Sequence, residues 1–313
     1  MRGTTRNSRY GKTSRRSGKS PAGKHALTAI NTHNSRNGVT RTQVGWSTRT
    51  INTRRDEKEA MAEYFVDHDF LVEGNPNAKR LDVATILVNP GTSQQFIIRK
   101  ALEWIKGNGQ DVDINWYTPG SLIPTILKEF RDGDPALIPA TQLFLFPGRL
   151  DVQIDSVCSP ETATFVEKYD RAFTYAFLSA NSFDLKTGSV YFHFSSEIQL
   201  QRAIALKDAK HKYLFLDSGK FDTISEGGIA YTLRDLLQTS HSVTVYTVSS
   251  NDVKNAWIKH SFEGLCNGLL EKRHSNQHEA DVKSLRLRIV GRSKVPTYID
   301  DRAGRLKPSA STH

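Results

Sequence analysis

Cysteine and methionine are scarce, with two of each in 313 residues. Cys158 and Cys266 lie far apart and form no CxxC pair. This excludes a disulfide framework and a zinc-thiolate site, and it points to a reducing compartment, the cytoplasm. No apolar run approaches the roughly 18 residues needed to cross a bilayer. The N-terminus has no apolar core of a secretory signal. The chain contains no G-x-G-x-x-G, no G-x-S-x-G and no H-E-x-x-H, so no dinucleotide, hydrolase or zincin signature is present. Ser17-Gly18-Lys19-Ser20 resembles the end of a P-loop, but Thr13 occupies the required glycine position and no strand precedes it. His274 and His278, at helical spacing, and Asp67-His68-Asp69 lie in polar stretches and read as solvated. No metal and no cofactor is expected.

Acidic residues are absent from positions 1–55, which hold 13 Lys and Arg. Residues 283–313 hold 8 basic residues against 2 Asp. The intervening 56–282 carries a net charge of −9, although the chain as a whole is +10. The expected organisation is therefore a basic arm (1–55), an acidic globular domain (56–282) and a basic tail (283–313). The arm is rich in Arg, Ser, Thr, Asn and Gly and has little apolar surface to offset ordering entropy, so it is expected to be disordered. Three readings of it stand: a nucleic-acid-binding arm drawn to phosphate, an organelle transit peptide, or a solvated tail.

From Asp56 the pattern changes. Residues 56–66 have acids in the first turn and Met61, Tyr64 and Phe65 at helical spacing. Strand-like and helix-like segments then alternate. Strands are expected at 84–89, 113–117, 142–146, 171–179, 212–217 and 242–248. Helices are expected at 94–106, 122–131, 161–168, 195–209 (with Ser195 as cap), 233–238 and 251–272. Residues 184–188 read as a hairpin turn into 190–194. Residues 285–290 alternate and read as an edge strand or a tail pairing elsewhere. Strands alternating with helices predict an α/β fold with a mostly parallel sheet and flanking helices.

Ligands of such sheets sit beyond the carboxyl ends of strands, at turns into helices. Asn89-Pro90-Gly91-Thr92-Ser93 is such a turn, with hydroxyls and a helix N-terminus suited to phosphate or carboxylate. Thr118-Pro119-Gly120-Ser121 repeats the design. Both also read as ordinary helix caps. Asp217-Ser218-Gly219-Lys220 ends a buried strand and reads either as a site where Lys220 meets a phosphate and Asp217 sugar hydroxyls, or as an ordinary strand-end turn with a solvated lysine.

The order of these segments resembles the C-terminal sensor domain of the DeoR family of bacterial transcriptional regulators. Asn89-Pro90-Gly91-Thr92-Ser93 matches the family's Asp-Ser-Gly-Thr-Thr loop, and Tyr117-Thr118-Pro119-Gly120-Ser121 its Thr-Asn-Ser. Phe146-Pro147-Gly148 matches its Leu-Gly-Gly. Asp170, Arg171, Ala172, Phe173, Asn181, Asp184, Thr187 and Gly188 match Asp-Lys-Ala-Phe, Asn-Gly-Ile-Asp and Thr-Gly. Gln201-Arg202-Ala203 resembles Lys-Arg-Ala, and Asp217-Ser218-Gly219-Lys220-Phe221 resembles Asp-Ser-Ser-Lys-Phe. Asn89 thus stands for an Asp, and Gln201 for a Lys.

The resemblance covers a little over half of the chain. It implies a ribose-5-phosphate isomerase-like fold that binds a phosphorylated sugar as effector. The implied ligand-binding residues are Gly91, Thr92, Ser93, Gly120, Ser121, Gly148, Asn181, Arg202, Asp217 and Lys220. The Gly91–Ser93 loop would hold the phosphate. The family's winged helix-turn-helix is echoed only in Ser47–Asp56, which nominates Arg49, Arg54 and Arg55 for DNA. The expectation is a regulator whose DNA affinity shifts with the effector through conformation or homo-oligomeric state. Two alternatives accompany it. One is a sensor domain acting through a protein partner. The other is a sugar-phosphate isomerase-like enzyme with Asp217, or less favourably Asp184, as base.

Overall fold

The computed structural model describes residues 54–70, 83–108, 113–133, 141–152, 154–221, 224–248, 251–274, 284–290 and 297–300. Its centre is built from apolar runs that cannot be left facing water on either side. Ala84–Val88 (β1) is buried throughout, and so is nearly all of Phe173–Ser179 (β6). Ala209–Asp217 (β9) and Ser240–Val248 (β11) are buried except at Lys210 and His241. Ile114–Thr118 (β2), Thr141–Leu145 (β3), Ser284–Val290 (β12) and Thr297–Asp300 (β13) complete an eight-stranded sheet. Its order is β13-β12-β11-β9-β6-β1-β2-β3. Every neighbouring pair is parallel except β12 with β13. The fold is therefore α/β with a mostly parallel sheet.

Strand side chains alternate between two cores. Ile86, Val88, Tyr175, Phe177, Tyr213, Phe215 and Tyr246 face one. Leu87, Ala176, Leu178, Leu214, Leu216, Val243 and Val245 face the other. Arg55–His68 (α1), Thr92–Asn108 (α2) and Leu122–Gly133 (α3) cover the first face. Pro160–Lys168 (α4), Ser195–Ala205 (α5), Leu233–Gln238 (α6) and Asp252–His274 (α7) cover the second. Phe65 of α1 is the plug of the first core. Its ring meets Phe177, Tyr213, Phe215 and Tyr246 at centroid distances of 4.9–5.5 Å, all nearly edge-on, the geometry that aromatic quadrupoles prefer.

Small sheets decorate this frame. Ser182–Asp184 (β7), Ser189–Phe192 (β8) and Gly228–Thr232 (β10) form one, and Leu150–Asp151 (β4) with Ser156–Val157 (β5) another. The expected hairpin turn at 184–188 is present. Asp184 accepts from Lys186 N–H (2.9 Å) and from the Thr187 hydroxyl (2.8 Å), and Gly188 takes the left-handed φ of 69° that closes it.

Three boundaries differ from the sequence expectation. The helix expected at 195–209 stops at Ala205, because the buried ammonium of Lys212 takes the Ala205 carbonyl at 2.7 Å. A cation at a helix C-terminus satisfies an orphan carbonyl and complements the helix dipole. β9 consequently begins at Ala209, earlier than its polar start suggests. The cap of α5 is Phe194, whose side chain makes no cap bond, rather than Ser195. Finally, 284–290 is neither tail nor edge. β12 pairs in parallel with β11 over seven residues, while β13 takes the edge. The sheet thus extends past 282, through β12 and β13 to Asp300, and α1 begins at Arg55.

Candidate functional site

In chain order the seven parallel strands lie 3-2-1-4-5-6-7, so the winding direction reverses between β1 and β6. Connections from the two strands leave in opposite directions and open a crevice at their carboxyl ends. A cleft of about 90 Å³ lies there. The turn after β1 contributes Gly91, Thr92 and Ser93, and the turn after β2 contributes Gly120. The end of β6 contributes Ser179 and Asn181, and the β4–β5 loop contributes Asp155. Glu197 enters from α5, and Lys220 from the single-turn 3-10 helix after β9.

Close packing fixes the turn at Gly91. A Cβ there would come within 2.5 Å of both Gln94 Oε1 and Ser179 Oγ. Only glycine lets the loop press against the end of β6. Beneath it, Asn89 is fully buried. Its Nδ2 donates to Gln201 Oε1 at 2.8 Å, and its Oδ1 accepts from the Ser179 hydroxyl at 3.3 Å. Asn89 and Gln201 are the two positions that depart from the DeoR pattern of Asp and Lys, and here they bond to each other as a neutral amide pair. α2 then starts at Thr92 with no acid in its first turn. Its leading N–H groups have no partners within the helix and present positive potential to the cleft.

Glu197 is the group that sequence reading overlooked. It occupies the third position of α5 and is 8% exposed. Burial pushes its carboxyl up to about 7, against the pull of the Phe194 and His193 backbone N–H groups, the Asn181 amide and the Lys220 charge. Its Oε2 has no hydrogen-bond partner among the described residues. The signal for it was a glutamate three residues into a helix, the half of a capping box that reaches back to the N-cap N–H. At the rim, His193 shares a 2.7 Å hydrogen bond with Ser225, and burial and the Lys220 charge hold its imidazole below the ordinary value.

No protein-family model matches the chain, and no curated protein sequence matches it. Gly91, Thr92, Ser93, Gly120, Asn181 and Lys220 do converge on the cleft. Ser121, Gly148, Arg202 and Asp217 are not among its lining residues. Ser121 spends both its N–H (2.9 Å) and its hydroxyl (2.8 Å) on the Asp155 carbonyl, so it shapes the loop that carries Asp155. Gly148, at φ 146°, packs its α-carbon against Thr162 and Val157. Arg202 is exposed on the last turn of α5. Asp217 is buried and turns away, accepting from Gly219 N–H at 3.1 Å and lying 3.7 Å from Arg54 Nε.

The nominated DNA contacts are placed differently as well. Arg49 lies outside the described residues. Arg54 donates to Ser218 Oγ (2.6 Å) and to Glu57 Oε1 (3.0 Å), and Glu57 accepts from both the N–H and the hydroxyl of Ser218. Arg55 pairs with Glu59 at 2.7 Å. Arg54 is the N-cap residue of α1 and Arg55 its first residue. Of the nominated bases for isomerase chemistry, Asp217 faces α1 and Asp184 holds the hairpin turn. Among the described residues, no cluster of His, Cys, Asp and Glu is placed to hold a metal ion. No described helix is long and apolar enough to cross a membrane. Cys158 and Cys266 are buried and no disulfide joins them, and burial pushes the Cys158 thiol up to about 11.

Proposed function

We propose that this chain is a cytoplasmic, DeoR-like transcriptional regulator whose α/β domain senses a phosphorylated sugar. The observation that carries this reading is the composition of one cleft at the sheet's switch point. It combines the N-terminus of a 17-residue helix with Thr92, Ser93 and Lys220, which suit a phosphate. It also holds Asn181, Asp155 and Glu197, which suit the hydroxyls of a sugar. DNA contact belongs in this reading to the acid-free arm. It would be directed at phosphates and would weaken steeply with salt.

Two experiments test the two halves. Thermal unfolding with a panel of sugar phosphates should show stabilisation by at least one, through mass action on the folded state. Thr92→Ala and Lys220→Ala should each reduce it, and a shift that survives both variants overturns the pocket assignment. For the arm, duplex DNA is titrated against the full chain and against residues 54–313. Equal affinities would remove the arm from the mechanism and favour a domain that acts through a protein partner.

One observation supports a second reading, an isomerase-like enzyme. Glu197 is a cleft carboxyl poised near neutrality, the property required of a base that moves a proton between adjacent carbons. An NMR assay for aldose–ketose interconversion of pentose and hexose phosphates, with Glu197→Gln as control, separates this reading from the first.

A further inference from the structure

The cleft contains a polar atom that nothing among the described residues satisfies. Glu197 is 8% exposed, lines the cleft, and leaves Oε2 without a hydrogen-bond partner among the described residues. Its carboxylate does accept the backbone N–H groups of Phe194 and His193, which fixes the side chain over the start of α5. Asn181 also bonds to it, and so holds it from the side of β6. A buried acceptor left empty costs about 1–3 kcal/mol, and native structures rarely tolerate this without a reason. Of the other lining residues, Leu122, Ile123, Ile154 and Phe192 offer no donor side chain, and no described donor bonds this oxygen. Lys220 is the cation of the cleft and is already suited to an anion.

We propose that Glu197 is the specificity-determining residue of this cleft, taking a hydroxyl donated by the ligand and so selecting polyhydroxylated phosphates over bare phosphate. The inference rests on the sugar-phosphate reading above and deepens it. The α2 N-terminus and Lys220 bind any small phosphate, whereas the unfilled oxygen of Glu197 rewards only a ligand that carries a donor. Discrimination of this kind is strong, because a site built around a hydrogen bond is left with an unpaired polar group when the ligand lacks the donor.

The test uses the full chain and isothermal titration with four probes: inorganic phosphate, ribose 5-phosphate, 2-deoxyribose 5-phosphate and fructose 6-phosphate. Glu197→Gln is the informative variant. Its amide oxygen still accepts the Phe194 and His193 N–H groups, so the helix start is preserved, while an NH₂ donor replaces Oε2. A cooperative unfolding transition without ligand confirms that the variant is folded. In the native chain at least one sugar phosphate should bind about 10- to 100-fold more tightly than inorganic phosphate. Glu197→Gln should abolish that margin and leave affinity for inorganic phosphate within about twofold. Equal weakening of all probes, or no change in any, overturns the role of Glu197 and leaves the sugar-phosphate reading standing. No binding of any probe to the native chain overturns both.

Discussion

Burying the Glu197 carboxyl has an energetic consequence that needs no ligand. An unfolded glutamate releases its proton near pH 4.3, whereas burial pushes this one up to about 7. Between those values the folded chain holds a proton that the unfolded chain has lost. Stability from this group is therefore greatest at low pH and falls as pH rises through the window. Glu197→Gln removes the dependence. Its stability advantage over the native chain should grow by on the order of 1–3 kcal/mol between pH 5 and pH 8, read by urea unfolding at each pH. A margin that stays constant would mean that the carboxyl titrates normally. Glu197 also shows what sequence could not disclose about the site. Turns after strands can be recognised, and Gly91, Thr92 and Lys220 were legible that way. Which of several polar residues in a turn faces the crevice depends on packing. Asp217 and Lys220 are three residues apart, yet one lies against Arg54 beneath α1 and the other lines the cleft.

The elements themselves were largely legible, because buried strands such as Ala84–Val88 and amphipathic helices such as Thr92–Asn108 have distinct periods. β12 was the exception. Its Leu-Arg alternation normally marks a strand with one wet face. Here the arginine face is covered: Arg288 pairs with Asp69 at 2.5 Å and lies over the Tyr246 ring, so α1 closes the side that the sequence leaves polar. Long-range pairing also explains Asn89 and Gln201, which are 112 residues apart and meaningless separately. Asn89→Ala and Gln201→Ala should each cost about 1–3 kcal/mol, since each strands a buried amide. The double variant should lose less than the sum by about 1 kcal/mol, as read by urea unfolding. Strict additivity would show that the two amides do not depend on each other.

The charge distribution describes the chain better than its average, but the basic tail it sets apart from residue 283 contains β12 and β13 of the sheet. A boundary at 282 would remove β12, whose Leu285, Leu287, Ile289 and Val290 are all at most 5% exposed. At about 1.5–3 kcal/mol per buried aliphatic side chain, the loss is about 6–12 kcal/mol, comparable to the whole stability of a typical domain. A chain ending at 282 should therefore fail to give a cooperative thermal transition, whereas one ending at 300 should retain it. Calorimetry of the two decides the matter. At the other border, Arg54 is gripped by Ser218 and Glu57 and lies so close to Gly219 that a Cβ there would meet Arg54 Nε at 2.6 Å. A trypsin subsite must swallow an arginine whole, and this guanidinium is occupied. Digestion should spare the bond after Arg54 in the native chain and cut it several-fold faster in Glu57→Gln, with mass spectrometry reporting the new terminus. The grip that anchors α1 thus doubles as a lock on a peptide bond where a protease would part the basic arm from the sheet.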